Sequence, residues 1–374
     1  MIRCSGLFRP DHRLWRPGGE RTGKVGRMVR VTLHEVAVEA GVSDSTVSRA
    51  LRGLDKVDEG TRARVRQAAD RLHFSFSRNA SSLASGKTMR ISLLFSDKLN
   101  TWFDASVLQG AYEVLYPQRY DLIPSTVSTY EQLSAFFSRL PADRNVDAVI
   151  VASINLGSGE TDILKRLTIP TVGLDSRTIE GFDASVLLDD RKGMHDAVAL
   201  LKRLGHRRMA YVGMPEPGDF EFSSQRRGDA FMESALAMGF QPRDLLRIDV
   251  GRRADYRTYD EAVGSGVARV LALDPMPTAL CVESDGYAIA LIGGLRKYGI
   301  RVPQDMSVVG FDDADVAAAA DLTTVHQNPE EMARSAADKA LALMRGEEPE
   351  ERHSLADPIL MLRGSTARPP QRAR

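Results

Sequence analysis

Residues 31–51 read VTLHEVAVEAGVSDSTVSRAL, and their spacing predicts two short helices meeting at a glycine turn. Leu33, Val36, Ala37 and Ala40 fall at i, i+3, i+4 and i+7, one apolar stripe along a helix. Thr32 stands three residues before Glu35, the spacing of a capping box. Gly41 suits the left-handed residue that ends such a helix. Ser43 can cap a second helix, whose inward face is Val47, Ala50 and Leu51. The opposite face then carries Asp44, Ser45, Ser48 and Arg49, small polar groups plus one long guanidinium, a surface able to enter a major groove about 12 Å wide. Behind a capping Asp58, Val65, Ala68, Ala69 and Leu72 repeat the stripe and predict a third helix. Helices this short hold only if they pack together. A helix, a glycine turn and a second helix with polar N-terminal residues is the helix-turn-helix plan, in which the second helix reads base edges. By itself the pair is a weak signal, since most helical hairpins bind nothing.

The charge distribution adds to it. The whole chain of 374 residues balances 50 Lys+Arg against 50 Asp+Glu, a total that taken alone argues against a polyanion partner. The balance is uneven along the chain: residues 1–90 hold 18 basic and 9 acidic side chains, residues 91–374 hold 32 and 41. A basic N-terminal quarter on an acidic body suggests that one end meets a polyanion, although a solvated basic face would produce the same count. Cys4 and Cys281 are too few for a disulfide framework or a zinc ribbon. No apolar run approaches the ~18 residues of a membrane span. The first 27 residues carry seven Lys/Arg without an apolar h-region, so a secretory signal is not expected and a cytoplasmic location is. Two readings of residues 1–27 stand, a disordered arm or a mis-assigned start with translation beginning at Met28.

From Met89 onward the pattern changes. Short apolar runs (ISLLF at 91–95, DAVIVAS at 147–153, PTVGL at 170–174, RMAYVG at 208–213, TALCV at 278–282, MSVVGF at 306–311) alternate with helix-like stretches. That alternation predicts doubly wound parallel α/β architecture, and about 280 residues implies two such subdomains.

The string at 31–51 closely resembles the headpiece of the LacI/GalR family of bacterial transcription regulators. The resemblance continues through VDEGTRARVRQAADRLHF (57–74) and SRNASSLASGKT (77–88), then NTWF, LGHRRMAYVG, RGDAF, VPQDMSVVGFDD, LTTVHQNPEEMA and LRGSTARPP in the same order, so it covers essentially residues 29–370. It implies an all-α helix-turn-helix headpiece over 28–73, a hinge over 74–88 and a periplasmic-binding-protein-like core of two doubly wound subdomains over 89–370. Lobe 1 is expected over about 89–189 and 324–348, lobe 2 over about 190–323 and 354–370. The implied function is a sequence-specific DNA-binding regulator, by preference a repressor, whose operator affinity is set by a sugar or sugar derivative bound between the lobes. The implied partners are a near-palindromic double-stranded operator, a carbohydrate-like effector and a second copy of the chain, with no membrane, metal or cofactor. After LRGSTARPP there is no leucine-heptad tail, which favours a dimer over a dimer of dimers.

Residue roles follow from the resemblance position by position. Arg49 matches a recognition-helix position that contacts a base, and its fork suits guanine O6/N7. Asp44 and Ser45 match the two specificity positions. The Asp44 carboxylate either accepts from a base amine such as cytosine N4 or serves the helix N-terminus through the dipole, at even odds. Thr32, Ser43, Thr46 and Ser48 would serve phosphates, which positions the protein without specifying sequence. In the hinge, Leu83 matches a leucine wedged into the minor groove, and Asn79 and Ala80 match the residues flanking the hinge helix. Phe76 and Ser77 stand where the family often has Asn and Pro. In the core, Asp312 and Arg227 match the ligand-gripping acceptor and forked donor, Trp102 and Phe103 match aromatic contacts at the cleft edge, and Asp175 closes a strand at the cleft as Asp312 does. Ser223, Ser284 and Gln327 match further lining positions. Where relatives stack an aromatic ring on the ligand, residues 248–256 offer Gly251, Arg252 and Arg253. Either these arginines enter the cleft and favour an acidic or phosphorylated effector, or, the preferred reading, they sit exposed on a loop.

Two rivals from other classes are weaker. An α/β enzyme lacks a catalytic set: Gly264-Ser265-Gly266 is not a dinucleotide fingerprint, His34-Glu35 has no second zinc-binding His, and no GxSxG elbow occurs. A transport-type sugar-binding protein would carry a signal peptide and no DNA headpiece.

Overall fold

The computed structural model describes residues 31–51, 56–74, 87–96, 99–215 and 220–371, in two compact units, Met1–Ser81 and Ser82–Arg374. The hinge positions Asn79, Ala80 and Leu83, and residues 1–27, lie outside the described residues.

The first unit contains helices α1 (Leu33–Ala40), α2 (Asp44–Leu51) and α3 (Glu59–Arg71). The Glu35 N–H donates to Thr32 Oγ1 at 3.3 Å while the Thr32 N–H donates to Glu35 Oε2 at 2.7 Å, so both orphan donors at the start of α1 are satisfied. Gly41 ends α1 with φ +66°, and the Val42 N–H returns to the Ala37 carbonyl at 3.0 Å. Asp58 caps α3 by accepting from the Thr61 N–H at 2.9 Å. Val36, Ala37, Val47, Ala50, Val65, Ala68 and Ala69 are buried against one another, a core made chiefly of small residues so that the helices approach closely.

The second unit holds two six-stranded sheets. Sheet 1 runs in the order β11-β5-β4-β3-β1-β2, from β1 (Arg90–Ser96), β2 (Asp121–Val127), β3 (Ala148–Ala152), β4 (Thr171–Leu174), β5 (Ala184–Leu188) and β11 (His353–Ala356). Sheet 2 runs β12-β10-β9-β8-β6-β7, from β6 (Met209–Val212), β7 (Leu245–Ile248), β8 (Ala279–Val282), β9 (Ser307–Asp312), β10 (Thr323–His326) and β12 (Ile359–Met361). Every pairing is parallel except β10 with β12. The helices between them are α4 (Trp102–Leu115), α5 (Tyr130–Asp143), α6 (Ser158–Leu164), α7 (Asp190–Leu204), α8 (Arg226–Ala237), α9 (Tyr259–Leu271), α10 (Asp285–Lys297), α11 (Asp315–Ala319) and α12 (Pro329–Met344). Strand β1 shows why: Ile91, Leu93 and Phe95 join the apolar layer that also holds residues of α4 and α12, while Leu94 joins Leu133 and Phe137 of α5 on the other face. A strand buried on both faces reads as a continuous apolar run, as ISLLF does.

The lobe boundaries differ from expectation at two places. Residues 324–326 belong to β10 in sheet 2, held beside β9 by the register Thr323↔Val309 to His326↔Asp312, and so fall outside lobe 1. Residues 354–356 belong to β11 in sheet 1, paired with β5 from His353↔Ser185 to Ala356↔Leu188, and so fall outside lobe 2. The chain therefore crosses between sheets at 189, at 327–328 and at 357–358. Strands as short and polar as TTVH and HSLA carry no apolar run to mark them. Among the described residues no helix is long and apolar enough to cross a membrane.

Candidate functional site

Helix α2 buries Val47 and Ala50 and leaves Asp44, Ser45 and Arg49 exposed, with Ser48 and Thr46 half-buried beside them. Ser43 Oγ lies 2.9 Å from both Ser45 Oγ and Thr46 Oγ1, and it accepts from the Thr46 N–H at 3.3 Å, so it caps the helix that presents this face. Thr32 is exposed at the start of α1, its hydroxyl engaged with Glu35. Asp44 has a partner that sequence reasoning missed: its Oδ1 lies 3.1 Å from His34 Nδ1 across the turn.

In the second unit, the backbone turns sharply at both predicted carboxylates. Asp175 follows β4 with φ +50°, and Asp312 ends β9 with φ +117°. Asp175 is buried and accepts from Ser223 Oγ at 2.7 Å and from Ser153 Oγ at 3.1 Å. Arg227 is 3 % exposed, and its guanidinium is divided among three acceptors. Nε donates to Asp190 at 2.9 Å, while Nη1 donates to the Glu283 carbonyl at 2.7 Å and to Asp312 Oδ1 at 3.2 Å. Its plane sits 3.6 Å from the centre of the Phe311 ring, a desolvated cation–π contact. Gln327 donates to the same Asp312 oxygen at 2.7 Å, and its own Oε1 is buried without a partner.

Burial sets the titration of this cluster. It pushes Asp312 up to about 6 against the pull of Arg227, and Asp285 up to about 7 with help from the Asp312 charge. Asp175 and Asp190 are raised for the same reason, the Asp190 charge adding to Asp175. Arg227 thus sits among three carboxyls, Asp190, Asp312 and Asp175, each held above its usual range by burial.

Five of the eight predicted positions, Asp175, Ser223, Arg227, Asp312 and Gln327, thus come together. Trp102 begins α4 and lines a shallow hollow with Asp313, His326 and Gln327. Phe103 instead packs against the apolar core, and Ser284 caps α10 by accepting from the Tyr287 N–H at 3.4 Å. The 248–256 loop does not bring its arginines inward: Arg252 is exposed and Arg253 donates to the Tyr256 carbonyl at 2.8 Å.

The lobes also meet through a segment the sequence did not disclose. Phe220, 3 % exposed, comes from the lobe 2 side but packs in the lobe 1 cluster with Leu133 and Phe137, its ring edge-on to Tyr130 at 4.9 Å. Glu221 pairs with Arg177 at 2.6 Å, Phe222 bridges Ile154, and Ser223 Oγ lies 3.4 Å from Ser153 Oγ.

Against known proteins, residues 32–77 match the family described as bacterial regulatory proteins, lacI family, and residues 198–366 match the periplasmic binding protein-like domain. The chain carries a LacI-family helix-turn-helix domain and a periplasmic-binding-protein-like domain. It is 28% identical over 287 residues to catabolite control protein A of Priestia megaterium, covering 76% of this chain and 83% of that one. The lac repressor dimer bound to operator and the anti-inducer ONPF superposes with a TM-score of 0.78 at 23% identity, over 90% of this chain and 99% of that one. The complex of the transcriptional regulator CelR with cellobiose superposes with a TM-score of 0.63 at 26% identity, over 90% and 100%. The chain is a DNA-binding transcriptional regulator, a helix-turn-helix domain joined to a periplasmic-binding-protein-like one.

Proposed function

We propose that this regulator is a homodimeric repressor. Two copies of α2 read the half-sites of a near-palindromic operator, and a carbohydrate-like ligand held between the lobes sets their affinity. The observation that carries the DNA half is the division of α2 into a buried Val47/Ala50 face and an exposed Asp44/Ser45/Arg49 face. Arg49 forks onto a guanine edge, Asp44 and Ser45 discriminate neighbouring bases, and Thr32, Ser43, Thr46 and Ser48 hold phosphates. Asn79, Ala80 and Leu83 act at the centre of the operator. Two headpieces on adjacent half-sites require two copies of the chain. Relatives crystallised with ONPF and cellobiose support a sugar-like effector. Arg227, Asp312, Asp175, Ser223 and Gln327 grip it, with Trp102, Phe103 and Ser284 at the margins. Its binding shifts the lobes, a coupling typically of ~1–3 kcal/mol that runs equally in both directions. The chemistry here is binding and not catalysis.

The test is fluorescence anisotropy of the full chain on operator sequences selected from random DNA. Arg49→Ala is expected to weaken specific binding by about 1–3 kcal/mol and to relax one base pair in each half-site. Equal loss on selected and scrambled DNA would remove Arg49 from base reading.

A further inference from the structure

A cavity of about 230 Å³ opens at the carboxyl ends of β6, β7 and β8, lined by Tyr211, Met214, Phe222, Ser224, Arg247 and Glu283 among others, and by none of the eight positions the sequence nominated. Two of its polar groups lack what burial normally demands. Tyr211 is 1 % exposed and its hydroxyl has no hydrogen-bond partner. Buried hydroxyls are nearly always satisfied, and leaving one unpaired is unfavourable unless something else fills the position. Glu283 is also buried, and its carboxylate accepts from two neutral groups, Ser224 Oγ at 2.8 Å and the Met214 N–H at 2.9 Å. The basic residue of the lining, Arg247, is occupied elsewhere: Nη1 donates to Asp229 at 2.5 Å and Nε to Asp249 at 3.1 Å. With two carboxylates already on it, that guanidinium makes no hydrogen bond to Glu283; Arg227 and Arg247 pull on the Glu283 carboxyl only through space, and burial still holds it above its usual range.

We propose that this cavity receives the ammonium group of an amine-bearing ligand, with Glu283 as its counter-ion and the Tyr211 hydroxyl as a second acceptor. An ammonium supplies three donors and a full positive charge in direct contact, and a buried carboxylate is costly to ionise unless it is paired in this way. A carboxylate or phosphate would be repelled by Glu283. A neutral polyol could satisfy the hydroxyl but would leave the charge. Phe222 and Met214 give the cavity apolar surface on which a ring can rest. The proposal rests on the reading of this unit as an effector-binding core and narrows the effector to the class of amino sugars.

The test uses the full chain and three matched sets of probes, the gluco, galacto and manno hexosamines, their parent hexoses and their uronic acids, followed by thermal shift and titration calorimetry. At least one hexosamine is expected to raise Tm and to bind about tenfold or more tightly than its parent hexose, with no response to its uronic acid. Tyr211→Phe, which deletes only the unpartnered hydroxyl, and Glu283→Gln should each reduce that affinity about tenfold. Circular dichroism of the free variants reports whether they fold. A parent hexose binding as tightly as its hexosamine, a response to a uronic acid, no response to any hexosamine, or unchanged binding in both variants would overturn the proposal. A neutral sugar that alters operator affinity in wild type and in Glu283→Gln alike, but not in Asp312→Asn, would overturn the cavity and leave the cleft reading intact.

Discussion

At the scale of single residues, the cleft is governed by buried carboxyls and by the glycine that admits one of them. Asp285 is fully buried, accepting from Thr324 Oγ1 at 2.6 Å and the Ala314 N–H at 3.0 Å. It reaches this position because residue 310 is glycine: a Cβ there would stand 2.1 Å from Asp285 Oδ1. Burial, reinforced by the Asp312 charge, raises Asp285 to about 7, well above the ~3.9 of an unfolded Asp. A raised folded value means the native state binds more protons between these limits. The stability it contributes is therefore full below about pH 4 and lost as pH rises through about 7. Asp285→Asn, which keeps the shape and cannot ionise, is expected to melt with a shallower fall between about pH 4 and 7 than wild type. Parallel pH–Tm curves for the two would contradict this. Asp175 and Asp312 were legible because each closes an apolar strand run. Asp190, Asp285 and Glu283 were not, since a polar residue near a helix start looks solvated until distant segments of its own lobe cover it. His34 and Tyr211 were equally hidden, their roles depending on contacts across a turn and a sheet.

At the scale of elements, what packs closely decides which changes the fold tolerates. Helices α4 and α12 cross at Gly110, where a Cβ would lie 2.1 Å from the Glu330 carbonyl oxygen. Backbone cannot swing aside as a side-chain tip can, so Gly110→Ala should destabilise by about 1–3 kcal/mol. Gly264, on the open face of α9, has nothing within 4 Å of the same added methyl, and there the change should stabilise by about 0.5–1 kcal/mol through helix propensity. Urea unfolding of the two variants gives opposite signs if packing is the cause, and the same sign if it is not. The same distinction explains which elements could be read from sequence. Strands β1, β3, β4, β6, β8 and β9 announce themselves as runs because both faces are covered. The edge strands β2, which contains Pro124, and β7 are partly exposed and break the apolar run. Strands β10, β11 and β12 are three or four residues long, with their pairing decided at long range. The headpiece helices were legible almost residue by residue because caps, stripe and glycine turn are all local.

At the scale of the molecule, two features compete to hold the lobes of the second unit together at the Phe220–Ser223 segment, and their magnitudes separate them. The Arg177–Glu221 pair is short, but its side chains are 30 % and 57 % exposed, where such pairs contribute about 0–1 kcal/mol. Phe220 buries a whole ring in the apolar cluster of the opposite lobe, and deleting such a ring from a packed core costs about 3–5 kcal/mol when the surroundings cannot collapse. The packing term wins. Phe220→Ala is therefore expected to lower the unfolding free energy well beyond Glu221→Gln, and to increase the radius of gyration of the free protein in solution scattering as the lobes part. Glu221→Gln should leave both nearly unchanged, with a small effect that fades in salt. On the proposed coupling of lobe closure to operator affinity, a change in closure in Phe220→Ala should also appear as a change in operator affinity at fixed salt, with α2 untouched. If Glu221→Gln parts the lobes as far as Phe220→Ala does, the electrostatic contact is the latch and the apolar one is incidental.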